Sequence, residues 1–317
     1  MTHDSMITAG IDVGKQSLDI ACHPSGQALR VDNSTVGIKT LLRWLKNQHV
    51  ARVGLEASGG YEREVASALR KAGFDVALLQ PRQVRAFALF RLKLAKNDRL
   101  DAALIARCTA EIETVCTAPD PRLEPLAEHL RLIEQLETDL ARAKTRAEAY
   151  RTPRLKRTLA REAARLALRV KAELLLLSKA VRAMADLARR MDLVASVQGI
   201  GQRTALTLVI LMPELGQLTR AEAASLAGLA PFDHESGKYR GKRRIAGGRH
   251  RVRRALYAAA LPASFRWNPG LVETYKRLRT NGKNHKQTLT ACARKLLIFA
   301  NTVLARQSPW TPADNGC

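Results

Sequence analysis

A chain of 317 residues, 46% of them hydrophobic, is long enough for two domains with a core in each. Its 53 Lys and Arg stand against 29 Asp and Glu, leaving a net charge of +24 that points to a polyanionic partner, nucleic acid above all. No apolar run approaches the roughly 18 residues of a spanning helix, residues 1–5 are polar rather than signal-like, and five scattered cysteines without a CxxC pair argue against a disulfide framework or a zinc site. The expected class is a soluble, cytoplasmic, nucleic-acid-associated protein with no membrane partner.

In chain order, Ile7-Thr8-Ala9-Gly10-Ile11-Asp12-Val13-Gly14-Lys15 predicts a strand and a glycine turn, and Ser17-Leu18-Asp19-Ile20-Ala21 the returning strand. Asp12 ends an otherwise buried run. A buried lone carboxylate is costly unless it is paired or binds a metal, so Asp12 is either a water-facing turn residue or a ligand. Residues 28–33 predict a third strand, and Asn33-Ser34 caps a helix with Ile38, Leu41, Leu42 and Leu45 on one face. Residues 52–56 form a strand ending in Glu56, 57–60 a turn, 61–72 a helix stopped by Gly73, and 75–79 a strand closed by Gln80-Pro81. This β-β-β-α-β-α-β order, with acids at strand ends, resembles the ribonuclease-H-like fold.

Lys96-Asn97-Asp98-Arg99-Leu100-Asp101-Ala102-Ala103 opens a further helix that continues through Ala106. Asp98 and Asp101, three apart, share a face. They are either a helix-start pair that favours the macrodipole or two ligands of a common cation, for which Mg²⁺ with oxygen donors is the natural choice. Joined by Asp12 and Glu56, they form a four-carboxylate set able to hold two Mg²⁺ ions, or Mn²⁺ in their place, on a scissile phosphate. Lys15, Lys93 and Lys96 are close enough in sequence to grip a nucleic-acid backbone, or are plain solvated lysines. This first domain is placed at residues 1–122.

Residues 123–191 predict a helical arm. Leu126, Leu130, Ile133, Leu136 and Leu140 make a narrow coiled-coil-type stripe, Arg151-Thr152-Pro153-Arg154 breaks it, and a second stripe runs from Leu155 to Leu187. Two such helices form an antiparallel hairpin or an arm that pairs with another chain, an oligomerisation device.

Residues 192–308 form the second, mainly helical domain, with 309–317 a frayed tail. Gly199-Ile200-Gly201 before a helix resembles the hairpin of helix-hairpin-helix modules, whose backbone amides meet a phosphate, although such turns also serve as ordinary junctions. Between Lys238 and Arg254 there are nine basic residues (Lys238, Arg240, Lys242, Arg243, Arg244, Arg249, Arg251, Arg253, Arg254) and no acid. Such a run is a nucleic-acid patch or a solvated face. Four of these arginines crowd the start of the next helix, where positive charge opposes the macrodipole and an anion would relieve it. Ser236 lies in a Ser-Gly turn at the front of the patch and, as a bare turn serine, reads as structural.

Taken together, these motifs resemble the DEDD-type insertion-sequence transposases of the one-ten family across nearly the whole chain. The resemblance rests on Gly10-Ile11-Asp12-Val13-Gly14-Lys15, Leu55-Glu56-Ala57-Ser58-Gly59-Gly60, Asn97-Asp98-Arg99-Leu100-Asp101-Ala102, Gly199-Ile200-Gly201, Gly228-Leu229-Ala230-Pro231, Ser236-Gly237-Lys238, and Gly247-Gly248-Arg249 leading into Arg253 and Arg254. It implies a RuvC-like first domain whose metal-binding acids are Asp12, Glu56, Asp98 and Asp101. It also implies that Ser236 is the nucleophile of the second domain, forming a covalent phosphoserine link with DNA, and that Arg249, Arg253 and Arg254 stabilise the phosphate. Its further implications are donor and target duplex DNA as substrates, a bridge or seeker guide RNA as partner, a homo-oligomer (dimer or tetramer) that assembles the site between protomers, and action at the bacterial nucleoid. Two readings compete with it: a metal-dependent nuclease that does not use Ser236, and a non-catalytic nucleic-acid scaffold.

Overall fold

The computed structural model describes residues 6–57, 59–91, 98–113, 120–232, 235–236, 239–240 and 244–311, and of 98–100, 235–236 and 239–240 it describes the backbone alone. The chain divides into two compact units, Met1–Pro119 and Asp120–Cys317.

The first unit is built on a mixed five-stranded sheet of order β3-β2-β1-β4-β5. Strands β1 (Thr8–Val13), β2 (Ser17–His23) and β3 (Ala28–Asp32) form an antiparallel meander, and β4 (Arg52–Glu56) and β5 (Asp75–Leu79) add in parallel on the other side of β1. The parallel steps are made by helices α1 (Thr35–Asn47) and α2 (Glu62–Lys71), followed after β5 by α3 (Pro81–Phe90) and then α4 (Asp98–Ala110). The strands and helices thus follow the expected order, and Ser34 caps α1 through its side chain, 3.2 Å from the amide of Gly37.

Strand alternation sorts the two faces. Ala9, Ile11 and Val13 of β1 join Val53 and Leu55 of β4 in a core closed by Ile38, Leu41 and Leu45 of α1 and by Val65 and Leu69 of α2. The opposite face of β1 carries Thr8, Gly10 and Asp12, and there α4 lies directly on the strands. A Cβ at Gly10 would come within 2.2 Å of the Ala106 amide nitrogen and 2.3 Å of the Ala102 carbonyl oxygen. Gly54, paired with Gly10 on the neighbouring strand, is closed off in the same way by the Thr109 hydroxyl at 1.8 Å from such a Cβ. The Thr8 hydroxyl, buried, donates to the Ala106 carbonyl at 2.9 Å.

The second unit begins with α5 (Leu123–Ala149) and α6 (Pro153–Arg182), which run antiparallel: His129 near the start of α5 meets Glu173 near the end of α6 at 2.8 Å. Leu126, Leu130, Ile133 and Leu136 are buried on α5 and Leu140 is half-buried; of the stripe on α6, Leu177 and Val181 are buried, Leu159, Leu166, Val170 and Leu174 are half-buried, and Leu155 is exposed. The second stripe does not continue unbroken to Leu187. The chain bends after Arg182 and restarts as α7 (Ala185–Ala195), turning Leu187, Met191 and Val194 into the core of the following helices. That core joins the base of the arm to α8 (Gln202–Leu211), α9 (Arg220–Leu226), α10 (His250–Pro262), α11 (Pro269–Thr280) and α12 (His285–Arg306), so the arm shares one core with the C-terminal helices rather than standing apart. Among the described residues α12 alone has the length and composition to cross a membrane, which the sequence reading did not anticipate. However, its apolar residues Leu289, Leu296, Leu297, Ala300 and Leu304 are fully or almost fully buried within this unit.

The glycine contacts make a direct prediction. Gly10→Ala forces a methyl into α4 backbone and destabilises the first unit by about 3 kcal/mol or more in urea unfolding. Gly54→Ala meets a side chain instead, so adding Thr109→Ala recovers part of its loss, whereas no side-chain substitution on α4 rescues Gly10→Ala.

Candidate active site

Asp12 and Glu56 stand on adjacent parallel strands, and Asp101 lies in the first turn of α4. The register pairs Ile11 with Leu55, so the next residues along these parallel strands are Asp12 and Glu56. Both follow by two the glycines under α4 and therefore project from the α4 face. Helix α4 runs against the direction of β1, because Ala102 stands over Gly10 and Ala106 over Thr8, and Ile112 just past its end accepts a hydrogen bond from Arg52 at the start of β4. Its first turn therefore lies at the Asp12 and Glu56 end. Asp101, Ala102, Ile105 and Thr109 fall on one helical stripe, the one facing the sheet, and Asp98 is the first residue of this helix.

Asp12, Glu56 and Asp101 are each half-buried. Lys15 is exposed in the turn that follows β1, at the same end, and Asn33 anchors that turn by donating to the Gly14 carbonyl at 3.0 Å. Lys93 and Lys96 lie outside the described residues, and of Asp98 only the backbone position is described. Among the described side chains no three carboxylates, imidazoles or thiols close into a metal-holding cluster. The donor set at this end is nevertheless all carboxylate oxygen, the chemistry that suits a hard divalent cation such as Mg²⁺.

In the second unit Ser236 sits on a small hairpin between α9 and α10. An outer pair, β6 (Pro231–Phe232) with β9 (Arg244–Ile245), leads to an inner pair, β7 (Glu235–Ser236) with β8 (Tyr239–Arg240), in which Ser236 opposes Tyr239. Lys238, Lys242 and Arg243 lie outside the described residues, Arg240 is described by its backbone, and Arg244 is exposed.

The base of this hairpin is tied in two ways. Gly228, Gly247 and Gly248 all take positive φ (70°, 63° and 66°), and a Cβ at Gly248 would come within 2.1 Å of the Gly228 amide nitrogen. Arg253 then donates from Nη1 to both the Gly228 carbonyl, at 3.2 Å, and the Gly247 carbonyl, at 2.6 Å. Beside it, Arg249 holds Glu214 through two hydrogen bonds of 2.8 and 2.6 Å and also donates to the Leu211 carbonyl at 2.7 Å. Burial pulls the Glu214 carboxyl up, but the hydrogen bonds and charge of Arg249, with help from Arg190, hold it below the usual carboxylate range.

The conflict at the start of α10 is thus met partly from within the protein. Arg249 has Glu214, and Arg251 donates to the buried Glu134 of α5 at 2.7 Å. Arg254, at 3.5 Å from Glu134, keeps a side chain that is 59% exposed and is the freer of these arginines to meet an outside anion. Gly199, at φ 100°, is closed in by Ala263 and Leu296, whereas Gly201, the residue before α8, has open space around it.

Sequence reasoning missed Glu214 and Glu134 because their partners lie 35 and 117 residues away, and it missed the role of Gly54 because the helix that covers it is distant in sequence. The signal for Gly54 was a glycine inside an apolar strand, a mark of close backbone approach.

These features define a chain with a carboxylate-ended mixed sheet in one unit and a serine hairpin amid arginines in the other. Comparison with known proteins gives them a family. Residues 9–152 match the DEDD transposase family of IS110 type, and residues 191–276 match the transposase family IS116/IS110/IS902. The chain belongs to the IS110-type transposases and is a DNA transposase or recombinase. It is 28% identical to the pilin gene-inverting proteins of Moraxella lacunata and Moraxella bovis, over 95% of this chain and 96% of each relative. It is 37% identical to the uncharacterized 42 kDa protein of insertion element IS900 from Mycobacterium paratuberculosis, over 28% of this chain and 23% of that protein. A solved structure of T. thermophilus RuvC in complex with Holliday junction substrate is similar at a TM-score of 0.26 and 20% identity, covering 32% of this chain and 91% of that one.

The Arg249 pair sets a pH dependence. A depressed folded-state pKa contributes stability that is present above the ordinary glutamate value, about 4.5, and is lost as the pH falls through the lower folded value. Glu214→Gln therefore flattens the fall in melting temperature on acidification below about pH 4.5. Arg253→Ala lowers the melting temperature at neutral pH by about 2–4 °C and increases proteolysis within residues 229–246.

Proposed function

We propose that the chain cuts and rejoins DNA strands by attack of the Ser236 hydroxyl on a DNA phosphate, with a divalent cation held by Asp12, Glu56, Asp98 and Asp101 and a guide RNA selecting the strands. In this reading the Ser236 Oγ–P bond forms as a P–O bond of the DNA backbone breaks. The serine proton leaves to solvent or a nearby base, and the departing strand takes up a proton at its freed hydroxyl. A second strand's hydroxyl then reverses the step and releases the serine. The cation, Mg²⁺ or Mn²⁺, would neutralise charge on the phosphate and lower the pKa of an attacking hydroxyl. Arg254, largely solvent-facing, and Arg244 would bind the phosphate, while Arg253 holds the hairpin on which Ser236 rides.

What supports this reading is the close approach of α4 to β1 and β4 at Gly10 and Gly54, with Asp12 and Glu56 two residues beyond those glycines and Asp101 in the first turn of the helix. Likeness to the pilin gene-inverting proteins over nearly the full chain supports exchange of strands rather than cleavage alone. The Gly199 to Gly201 turn before α8 is read as a helix-hairpin-helix-like phosphate contact, made by Gly201 and the first amides of the helix.

A homo-oligomer, dimer or tetramer, is proposed through the arm. Leu168, Leu175 and Leu176 of α6 are 70%, 55% and 53% exposed on the face opposite its buried stripe, where a second chain would cover them. Replacing Leu168 and Leu175 by Glu shifts the sedimentation of the purified protein toward the monomer if this reading holds. The enzyme would act on the nucleoid in the bacterial cytoplasm.

The decisive test is to trap a protein–DNA adduct on labelled donor and target duplexes with guide RNA and Mg²⁺. Wild type gives an adduct that protease shortens and alkaline phosphoserine elimination removes, and Ser236→Ala gives none, with strand exchange down at least about a thousandfold. Strand exchange that survives Ser236→Ala but not Asp12→Ala would replace the covalent reading with hydrolysis by the acids alone.

A further inference from the structure

The end of α10 carries a feature that the strand chemistry does not use. Pro262 has no N–H with which to continue the helix, and the backbone widens into a π-helical turn, Ala263–Trp267, closed by the Asn268 amide donating to the Ala263 carbonyl at 3.0 Å. The inner side of this turn is fixed. Ala263 and Ser264 are buried, Ala263 packs against Gly199, and the buried Asn268 side chain both accepts from the Leu271 amide at 3.1 Å and donates to the Gln198 carbonyl at 3.0 Å.

With the inner side held, Phe265, Arg266 and Trp267 turn outward, and the two rings are 55% and 57% exposed. The chain has only 6 Phe and 3 Trp, so placing one of each on water two residues apart is a cost unless something covers them. The rings are also arranged. Phe265 lies 4.8 Å from the Tyr275 ring of α11 and 6.4 Å from the His285 ring at the start of α12, centroid to centroid. The Tyr275 hydroxyl bonds His285 Nδ1 at 2.7 Å, which fixes those two rings, and the Arg266 guanidinium stands 5.2 Å from the Trp267 centroid. Along α11 and into the start of α12, the elements that carry Tyr275 and His285, Lys276, Arg277, Arg279, Lys283 and Lys286 are exposed, and no acid occurs between Glu273 and Asp314.

We propose that this turn, with Tyr275 and His285, is a stacking platform for unpaired nucleobases, a binding site for single-stranded nucleic acid. Exposed aromatic faces bordered by cations match a base and its phosphate at once. A protein partner would meet a field of one sign, and a duplex presents its bases already stacked. The inference rests on the chain being a nucleic-acid recombinase, whose substrates must open during strand exchange, and it names where opened bases are held.

The test measures binding of the full-length protein to fluorescein-labelled oligo-dT, oligo-U and a blunt duplex of equal length, with 2-aminopurine quenching as the sign of stacking. Phe265→Ala and Trp267→Ala are each expected to weaken single-strand binding about tenfold and abolish the quenching. Phe265→Tyr should retain both, and duplex binding should stay within about twofold. Loss confined to oligo-dT assigns the platform to a DNA strand, and loss confined to oligo-U to the guide RNA. Unchanged single-strand binding in both alanine variants, or an equal loss on duplex, overturns the platform. If wild type binds none of the three, the platform falls together with the nucleic-acid reading beneath it.

Discussion

Everything proposed for the first unit depends on one backbone contact, that of α4 with β1 and β4 at Gly10 and Gly54. An ordinary side chain at either position would hold a helix off the sheet, with the usual layer of packed side chains between. Here the helix meets the strands with nothing between, and the buried Thr8 hydroxyl completes the seam by donating to the Ala106 carbonyl. Since side chains alternate along a strand, the residue two beyond each glycine projects from the same face, and in both strands that residue is an acid. The same lack of side chains that lets the helix descend therefore places its first turn at the acids' end. Fold and acid placement come from a single device.

The serine hairpin is held by a different physics. Its inner strands are two residues long, too short for a ladder to fix them, and Ser236 would wander if the hairpin were joined to the helices only by its ends. What fixes it is the base, where three left-handed glycines allow the entering and leaving chains to touch and Arg253 bonds a carbonyl from each. Arg249, tied to Glu214, sets the direction in which α10 departs. A serine on a short hairpin anchored at its root has its backbone tied to the helix that carries Arg254.

Much of this was legible in the sequence. Period-two and helical spacing gave the strand and helix order of the first unit, including the strand ends at Asp12 and Glu56, because a half-buried sheet writes its pattern locally. The arm was legible for the same reason, through stripes of leucine. What was not legible was long-range. The bend after Arg182 follows from where Leu187, Met191 and Val194 find a core, and that core is made of helices far along the chain. The arginines at the start of α10 read as one basic patch because their carboxylate partners, Glu134 and Glu214, lie in other elements. The exposed pair Phe265 and Trp267 passed unnoticed, since one cannot tell from the letters which side of a π turn faces out.

The placement of the acids, more than that of the bases, decides where this strongly basic chain offers charge to an anion. In the described parts of the second unit several acids sit against arginines: Asp120 and Asp186 on Arg122, Asp192 on Arg182, Glu137 on Arg203, Glu134 on Arg251, Glu214 on Arg249. Many of these pairs knit neighbouring helices and leave little net field where they form. Beyond Glu273 no acid occurs until Asp314, while lysines and arginines continue into α12. The unbalanced charge of this unit lies on three stretches: α6 with the turn before it, where ten Lys and Arg from Arg151 to Arg182 stand against Glu162 and Glu173, the serine hairpin, and the region from α11 to the start of α12. The hairpin departs from regular helix in its short strands, and α11 follows directly on the π turn at Ala263–Trp267. A polyanion attracted by the net charge would meet two of these stretches beside irregular segments, one carrying Ser236 and the other the exposed rings of Phe265 and Trp267.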